Sequence, residues 1–532
     1  MIGVIATSAE RPVVEEFFEL FKTQWEFYET GRRYDVVLCT GELPPGEDTT
    51  GLILVFAGHK LAWDSTVGIE VVAETESPCF LAYQGDGIPL YEGRVRFETA
   101  NPAILVDEQG CSAILHRADG QVRILRIGYD LFAEIKRLLT SGQPAANAAI
   151  PTLELHIALL RDFIAASGRA VAEIPPVPAG YRFIACLTHD IDHPLIRNHG
   201  CDHTVLGFLY RATIGSLIGF LRGRRTAAEV LRNLAAVAKL PFVYAGLVQD
   251  FWGTFDRYLQ LEKGHKSSFF VIPFKDRPGR KASGKAPGRR AARYGVSDIA
   301  RQVSTLRAAG SEIGVHGIDA WLDSAAARSE LEEIRKASGN MEAGVRMHWL
   351  YFGEHSHAIL EDAGAEYDST VGYNETVGYR AGTSQVYKPL NTTRLLELPL
   401  HVMDTALFYP AYLHLTPREA VERVRQIIEN AVRLGGCVTI NWHDRSIEPE
   451  RCWDGVYARI LEELERQGAW FGNAAETVAW FRKRRAARFK TVIGQGPGDV
   501  RIASTGDRQD SLPELELQVT HHPRGQAISC SA

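Results

Sequence analysis

Two carboxylates and two imidazoles crowd into one short stretch, Thr188-His189-Asp190-Ile191-Asp192-His193. It follows an apolar run, Phe183 to Leu187, that reads as a buried strand of a parallel sheet. Side chains alternate along an extended chain, so Asp190 and Asp192 point to the same side. Such a pair suits one metal-ligating carboxylate and one general base acting on a single water. Asp and His after a strand also cap helices and close turns. The pair counts as a site only if the rest of the chain brings partners to it. His316, His348, Asp368 and His443 are those partners, each at or just beyond the end of another strand candidate.

The elements that must position them run from Tyr181 to about Lys483, where apolar strands alternate with helical patterns. Strands are expected at Phe183–Leu187, Ser268–Ile272, Glu312–Val315, Val345–Leu350, Ala365–Tyr367, Leu395–Leu400 and Cys437–Trp442. Helical periodicity falls between them at Ser297–Ala309, Ser324–Ala337, His355–Ala363 and Thr416–Leu434. Repeated βα units argue for an α/β barrel or wound sheet. In a barrel the polar residues at the carboxyl ends of the strands build the active site.

A chain of 532 residues is long for one core and predicts more than one domain. Residues 1–150 read as a smaller α+β domain of unknown role, with a hairpin where Asp119-Gly120 separates two strands. Residues 151–180 read as a linker, 181–483 as the barrel and 484–532 as a disordered tail. A net charge of −6 gives no general case for nucleic acid. The eight cysteines show no CxxC spacing, so neither a disulfide framework nor a cysteine-ligated zinc site is expected. Residues 1–18 carry Glu10, Glu15 and Glu16 and lack a basic start followed by an apolar core, which makes the cytoplasm the expected location.

With these positions laid out, the barrel half resembles the polysaccharide deacetylases of carbohydrate esterase family 4, as a divergent member. The resemblance implies a distorted (β/α)7 barrel and a divalent metal, zinc in most members, used to remove acetyl groups from amino sugars. Thr188-His189-Asp190-Ile191-Asp192 resembles the first motif, which implies Asp190 as base and Asp192 as metal ligand. Gly314-Val315-His316 resembles the metal-binding His-x-x-x-His, with Ala320 where the second histidine would stand. Zinc sites that do chemistry keep three protein ligands and one open position. His348, in Arg346-Met347-His348-Trp349, is the expected third ligand, with His189, His193 and Asp319 as alternatives. Arg346 resembles the arginine that orients the base. Tyr367-Asp368-Ser369-Thr370 and Gly378-Tyr379-Arg380-Ala381-Gly382 resemble the substrate-lining motif. Ile440-Asn441-Trp442-His443-Asp444 resembles the last motif, whose histidine is the general acid. Asp190, Arg346 and His443 are thus expected to be catalytic, and Asp368, Tyr379, Arg380 and Trp442 to touch substrate.

Two readings from other classes stay open: a carbohydrate-binding protein with degraded chemistry, and a related C–N hydrolase acting on a cyclic amide. Two further stretches suggest partners. Val205 to Leu221 is almost wholly apolar and is followed by Arg222, Arg224 and Arg225. It reads as a packed helix, with an interfacial helix making peripheral membrane contact through 205–225 as the alternative. Lys275 to Arg293 is basic and reads as a solvated loop or as a lid over an anionic substrate, such as a phosphate-linked or lipid-linked sugar.

Overall fold

The computed structural model describes the whole chain except residues 42–48, 76–78, 99–102, 108–109, 119–121, 254, 492–499, 504–510 and 522–532. The chain divides into two compact units. The first holds residues 1–179, 381–383 and 482–532, and the second residues 180–380 and 384–481.

The second unit is built on β1 (Phe183–Ile191), β2 (Ser267–Val271), β3 (Glu312–Gly317), β4 (Val345–Met347), β5 (Tyr367–Asp368), β6 (Leu396–Glu397), β7 (Val402–Met403), β8 (Cys437–Asn441) and β9 (Ala469–Phe471). They form one parallel sheet in the order β6-β5-β4-β3-β2-β1-β8-β7, with β9 beside the start of β1. The seven expected strands are present with shifted ends, and β7 and β9 are additional. Every residue of β1 is buried, as parallel strands covered on both faces must be.

The two edge strands of this order, β6 and β7, are consecutive in the chain and are separated by residues 398–401 alone. Four residues span at most about 14 Å, so the sheet has to curl until its edges nearly meet. The intervening chain bonds to both sides: Leu398 N donates to Asp368 O (2.8 Å) and His401 N to Thr439 O (3.1 Å). The result is a curled, irregular parallel sheet whose strand carboxyl ends face one mouth.

Between β1 and β2 the chain inserts a helical hairpin. Its first helix, α1 (His203–Leu221), starts where Asp202 accepts from the backbone N–H groups of Thr204 and Val205. Its second, α2 (Ala227–Tyr244), starts in a Thr226/Glu229 capping box. Val205, Phe208 and Ala212 of α1 pack with Ala236, Leu240 and Val243 of α2 and with Trp252. The basic stretch 275–293 is tied to the strand ends by Arg290. Arg290 is buried and donates to the carbonyls of Pro278, Ile318 and His348 (2.7, 3.0 and 2.8 Å).

The first unit carries a mixed sheet in which Ile2–Ile5, Trp25–Phe27, Tyr34–Cys39, Thr49–Phe56 and Val122–Ile127 run parallel. Gly110–Ala118 pairs antiparallel with Val122–Ile127, and the expected turn at residues 119–120 lies outside the described residues. A fully buried ion pair, Arg126 to Asp64 (2.9 Å), sits in this unit. Residues 151–180, expected as a linker, instead supply the helix Thr152–Ala166, with most of its side chains buried, and the strand Val171–Glu173. Part of the expected disordered tail pairs as strands: Arg488–Thr491 with Val500–Ala503, and Gln518–Thr520 with Val171–Glu173. The rest of that tail lies outside the described residues.

Candidate active site

β1 delivers Asp190 at its end and Asp192 just beyond it, and β3, β4 and β8 deliver His316, His348 and His443 to the same mouth. All five line one cleft of about 660 Å³. The centre of the group is Asp192 Oδ1, which lies 3.3 Å from His316 Nε2 and 3.4 Å from His348 Nε2. That oxygen is buried and makes no hydrogen bond.

The three atoms fit a cation. Bonds of about 2.1 Å at a tetrahedral angle set ligand atoms about 3.4 Å apart. His316 Nδ1 donates to the Arg346 carbonyl (3.0 Å), which leaves the lone pair on Nε2, the nitrogen facing Asp192. Burial drives the His348 imidazole well below its ordinary pKa and keeps it in the neutral, ligating form. Burial opposes ionisation of Asp192, but His316 and the charged His443 beside it hold its carboxyl well below the usual carboxylate range. An ionised oxygen between two imidazole nitrogens, with no hydrogen-bond donor of its own, offers a donor set that suits a cation.

The turn after β4 aims His348. The expected strand Val345–Leu350 stops at Met347, and Trp349 and Leu350 take left-handed φ values of 63° and 51°. Each costs of order 1–3 kcal/mol, and the turn they make brings His348 into the cleft. The alternative ligands are engaged elsewhere. His189 is fully buried between the Trp442 carbonyl (2.8 Å) and Glu262 (2.7 Å). His193 contacts His199 (3.2 Å), and Asp319 accepts from the Arg280 backbone N–H (2.7 Å).

Asp190 is clamped. Its Oδ1 accepts from Arg346 Nη1 (3.2 Å) and its Oδ2 from Asn441 Nδ2 (2.7 Å), while its own N–H donates to Asn441 Oδ1 (3.1 Å). Arg346 is completely buried and spends its fork on Thr188 Oγ1 (2.6 Å), the Ser369 carbonyl (3.0 Å) and Ser369 Oγ (2.7 Å) as well. On the far side of Asp192, His443 Nδ1 donates to Asp404 Oδ1 (2.6 Å), and the His443 backbone N–H donates to Asp404 Oδ2 (2.8 Å). Burial alone would lower the His443 pKa, but the Asp404 carboxylate, aided by Asp192 and Asp190, raises it to about 10. The imidazolium therefore presents Nε2–H to the cleft at neutral pH, 3.9 Å from Asp192 Oδ2. Asp404 belongs to none of the sequence motifs. Its only signal was an acid directly after a short apolar strand, 39 residues before its partner. Asn441 stood in a recognised motif without a role.

The residues expected to touch substrate are placed differently. Asp368, Tyr379, Arg380 and Trp442 do not line the cleft. Trp442 is buried with its indole stacked on Tyr457 (5.1 Å), and Tyr379 donates to the Ile427 carbonyl (3.2 Å). Arg380 lies over the Tyr373 ring at 5.5 Å. Asp368 joins His357 and Glu397 in a second, fully buried group. There burial pushes Asp368 well above the usual carboxylate range and Glu397 up to about 7, and lowers His357 to about 4. Two carboxylates side by side in a dry place cannot both ionise, so this group holds protons within the packing.

No protein-family model matches the chain, and no curated protein matches it. Solved structures similar to it include a protein assigned as a polysaccharide deacetylase from Mycobacterium smegmatis, at 17% identity and TM-score 0.34, covering 58% of this chain and 95% of that one. A family 4 carbohydrate esterase from Streptomyces lividans, in complex with acetate, is similar at 13% identity and TM-score 0.24 over 56% of this chain and 93% of that one. A GH57 branching enzyme from Thermococcus kodakaraensis is similar at 12% identity and TM-score 0.31 over 56% of this chain and 71% of that one. What this chain does has to be read from its own side chains.

Proposed function

We propose that the second unit is a metal-dependent hydrolase that removes an acetyl group from an N-acetylated or O-acetylated sugar. The observation that carries this reading is the convergence of Asp192 Oδ1, His316 Nε2 and His348 Nε2, flanked by a clamped carboxylate and a charged imidazole. A divalent ion of the zinc type, held by those three atoms, would supply Lewis acidity and lower the pKa of water in the cleft.

The chain's own residues then divide the proton transfers. Asp190, fixed by Arg346 and Asn441, takes a proton from water as its oxygen adds to the acetyl carbonyl carbon. The C–N or C–O bond of the tetrahedral adduct breaks as the Nε2 proton of His443 passes to the leaving atom. An amine leaves far more readily than an amide anion, so a charged imidazole is required there. Asp404 keeps His443 charged and fixes its Nδ1–H, leaving Nε2 as the donor. Acetate and the free amine or hydroxyl are the products.

The test joins metal analysis with acetate release from acetylated sugars. Asp190→Asn is expected to bind metal as the unmodified protein does and to lose on the order of 10²–10⁴-fold in rate. Asp192→Ala and His348→Ala are expected to lose metal. A purified protein that takes up no divalent metal, or an Asp190→Asn variant with more than half the activity, would overturn the reading.

A further inference from the structure

The cleft shares a wall with a second cavity, of about 830 Å³, that the chemistry above leaves unused. Seven arginines and two glutamates, Glu229 and Glu450, line it. Arg211, Tyr409, Arg445 and Arg451 line both spaces. Arg445 is only 9% exposed, yet its Nε and Nη1 make no hydrogen bond. Its nearest carboxylate, Glu450, is 4.0 Å from Nη1 and also faces Arg211 and Arg451. Glu450 is thus shared among three guanidinium groups within 4.0 Å. Idle donors on a buried cation carry a solvation cost that a bound anion would offset, and phosphate oxygens match the guanidinium fork.

The hairpin beside this cavity adds a second, independent observation. The stripe Leu206, Tyr210, Ile214, Leu217 and Leu221 recurs at helical steps along α1 and is exposed, Leu221 to 84%. Across the apolar window of α1 only 28% is buried. On α2, Leu231, Leu234 and Phe242 are exposed as well. Tyr210 and Ile218 carry the α1 surface into the cavity lining, and Arg222, Arg224 and Arg225, directly after α1, line it too. Apolar side chains at the surface with arginines at the helix end are what an anionic bilayer interface recognises. The helix does not cross, because Phe208 packs on Trp252 (6.0 Å) and its neighbours pack on α2.

We infer that the α1–α2 hairpin seats on a lipid surface and that the arginine cavity takes the phosphate or diphosphate of a lipid-borne sugar, presenting the acetylated ring to the adjoining cleft. The hydrolytic half rests on the function proposed above, whereas the docking surface does not. A water-soluble nucleotide sugar would offer the arginines the same phosphate chemistry but would leave the apolar stripe without a use.

The full-length protein is tested by co-sedimentation with phosphatidylcholine vesicles, with and without phosphatidylglycerol, and by calorimetry with inorganic pyrophosphate. Binding to the anionic vesicles is expected. Leu217→Glu with Leu221→Glu should weaken it about tenfold or more, with the thermal midpoint and hydrolysis of a soluble acetylated sugar unchanged. Arg222→Ala with Arg224→Ala should weaken it about fivefold per arginine, roughly 30-fold together, and should weaken pyrophosphate binding. No vesicle binding, or unaltered binding by the leucine pair, would overturn the inference. So would pyrophosphate binding without vesicle binding, which would make the anion a soluble one. Vesicle binding by a protein that hydrolyses no acetylated sugar would refute the proposed chemistry and support the surface.

Discussion

Arg346→Lys keeps a positive charge beside Asp190 and removes the fork. In the structure the guanidinium makes four hydrogen bonds: to Thr188 Oγ1, Asp190 Oδ1, and the carbonyl and Oγ of Ser369. It also lies 4.5 Å from the centre of the Phe270 ring. A lysine ammonium on its single stem can meet one or two of these acceptors, leaving at least two buried acceptors unmatched. At about 1–3 kcal/mol for each buried group left unsatisfied, the expected loss is about 3–5 kcal/mol. For a unit of this size roughly 2 °C per kcal/mol makes that a fall of about 6–10 °C in Tm. Asp190 then loses the donor that fixes Oδ1, and kcat for acetate release should fall on the order of 10²-fold with KM little changed. Calorimetry and acetate release on the same preparation measure both, and Asp190→Asn combined with Arg346→Lys closes a double-mutant cycle. The two substitutions should be strongly non-additive in kcat, since each disables the same base. A Tm fall under about 2 °C, or fully additive rate losses, would show that Arg346 is not what holds Asp190.

Asp404→Asn removes the carboxylate that raises His443 to about 10; because His443 donates only when protonated, the alkaline limb of the pH–rate profile should move to lower pH, by about 1–2 units for one charge-assisted bond. An alkaline limb that stays in place would separate His443 from proton donation. His348→Gln should bind metal far more weakly while the fold persists, as read by metal stoichiometry and circular dichroism, and unchanged metal content would exclude His348 as a ligand. In the first unit, burial lowers His156 to about 3, so the unfolded state binds the extra proton between about pH 6.5 and 3 and stability falls as pH drops through that window. Relative to His156→Phe, the unmodified protein should lose about 4 kcal/mol across it, and parallel acid-denaturation curves for the two proteins would refute this.

The positions of Asp190, Asp192, His316, His348 and His443 at one mouth were legible in the sequence, for a specific reason. Apolar runs alternating with amphipathic helices force parallel strands, and parallel strands put all their carboxyl ends on the same side. A polar residue at such an end needs no further information to be placed near the others. The direction of each side chain did need more. His348 reaches Asp192 Oδ1 through a left-handed turn at Trp349 and Leu350 that no periodicity announces. Asp368 ends a two-residue strand, and its side chain goes into the packing with Glu397 and His357 rather than to the cleft. Trp442, one residue past β8, and Tyr379, in the long connection after β5, are buried against Tyr457 and the Ile427 carbonyl, partners far from them in sequence. Asp404 became the partner of His443 only when β7 and β8 paired, and Asn441 the partner of Asp190 only when β1 and β8 paired, because their bonds span 39 and 251 residues of chain. Composition alone marked α1 as apolar. Its exposure was decided by the tertiary packing, in which α2 and Trp252 cover one face and leave the stripe from Leu206 to Leu221 in the open.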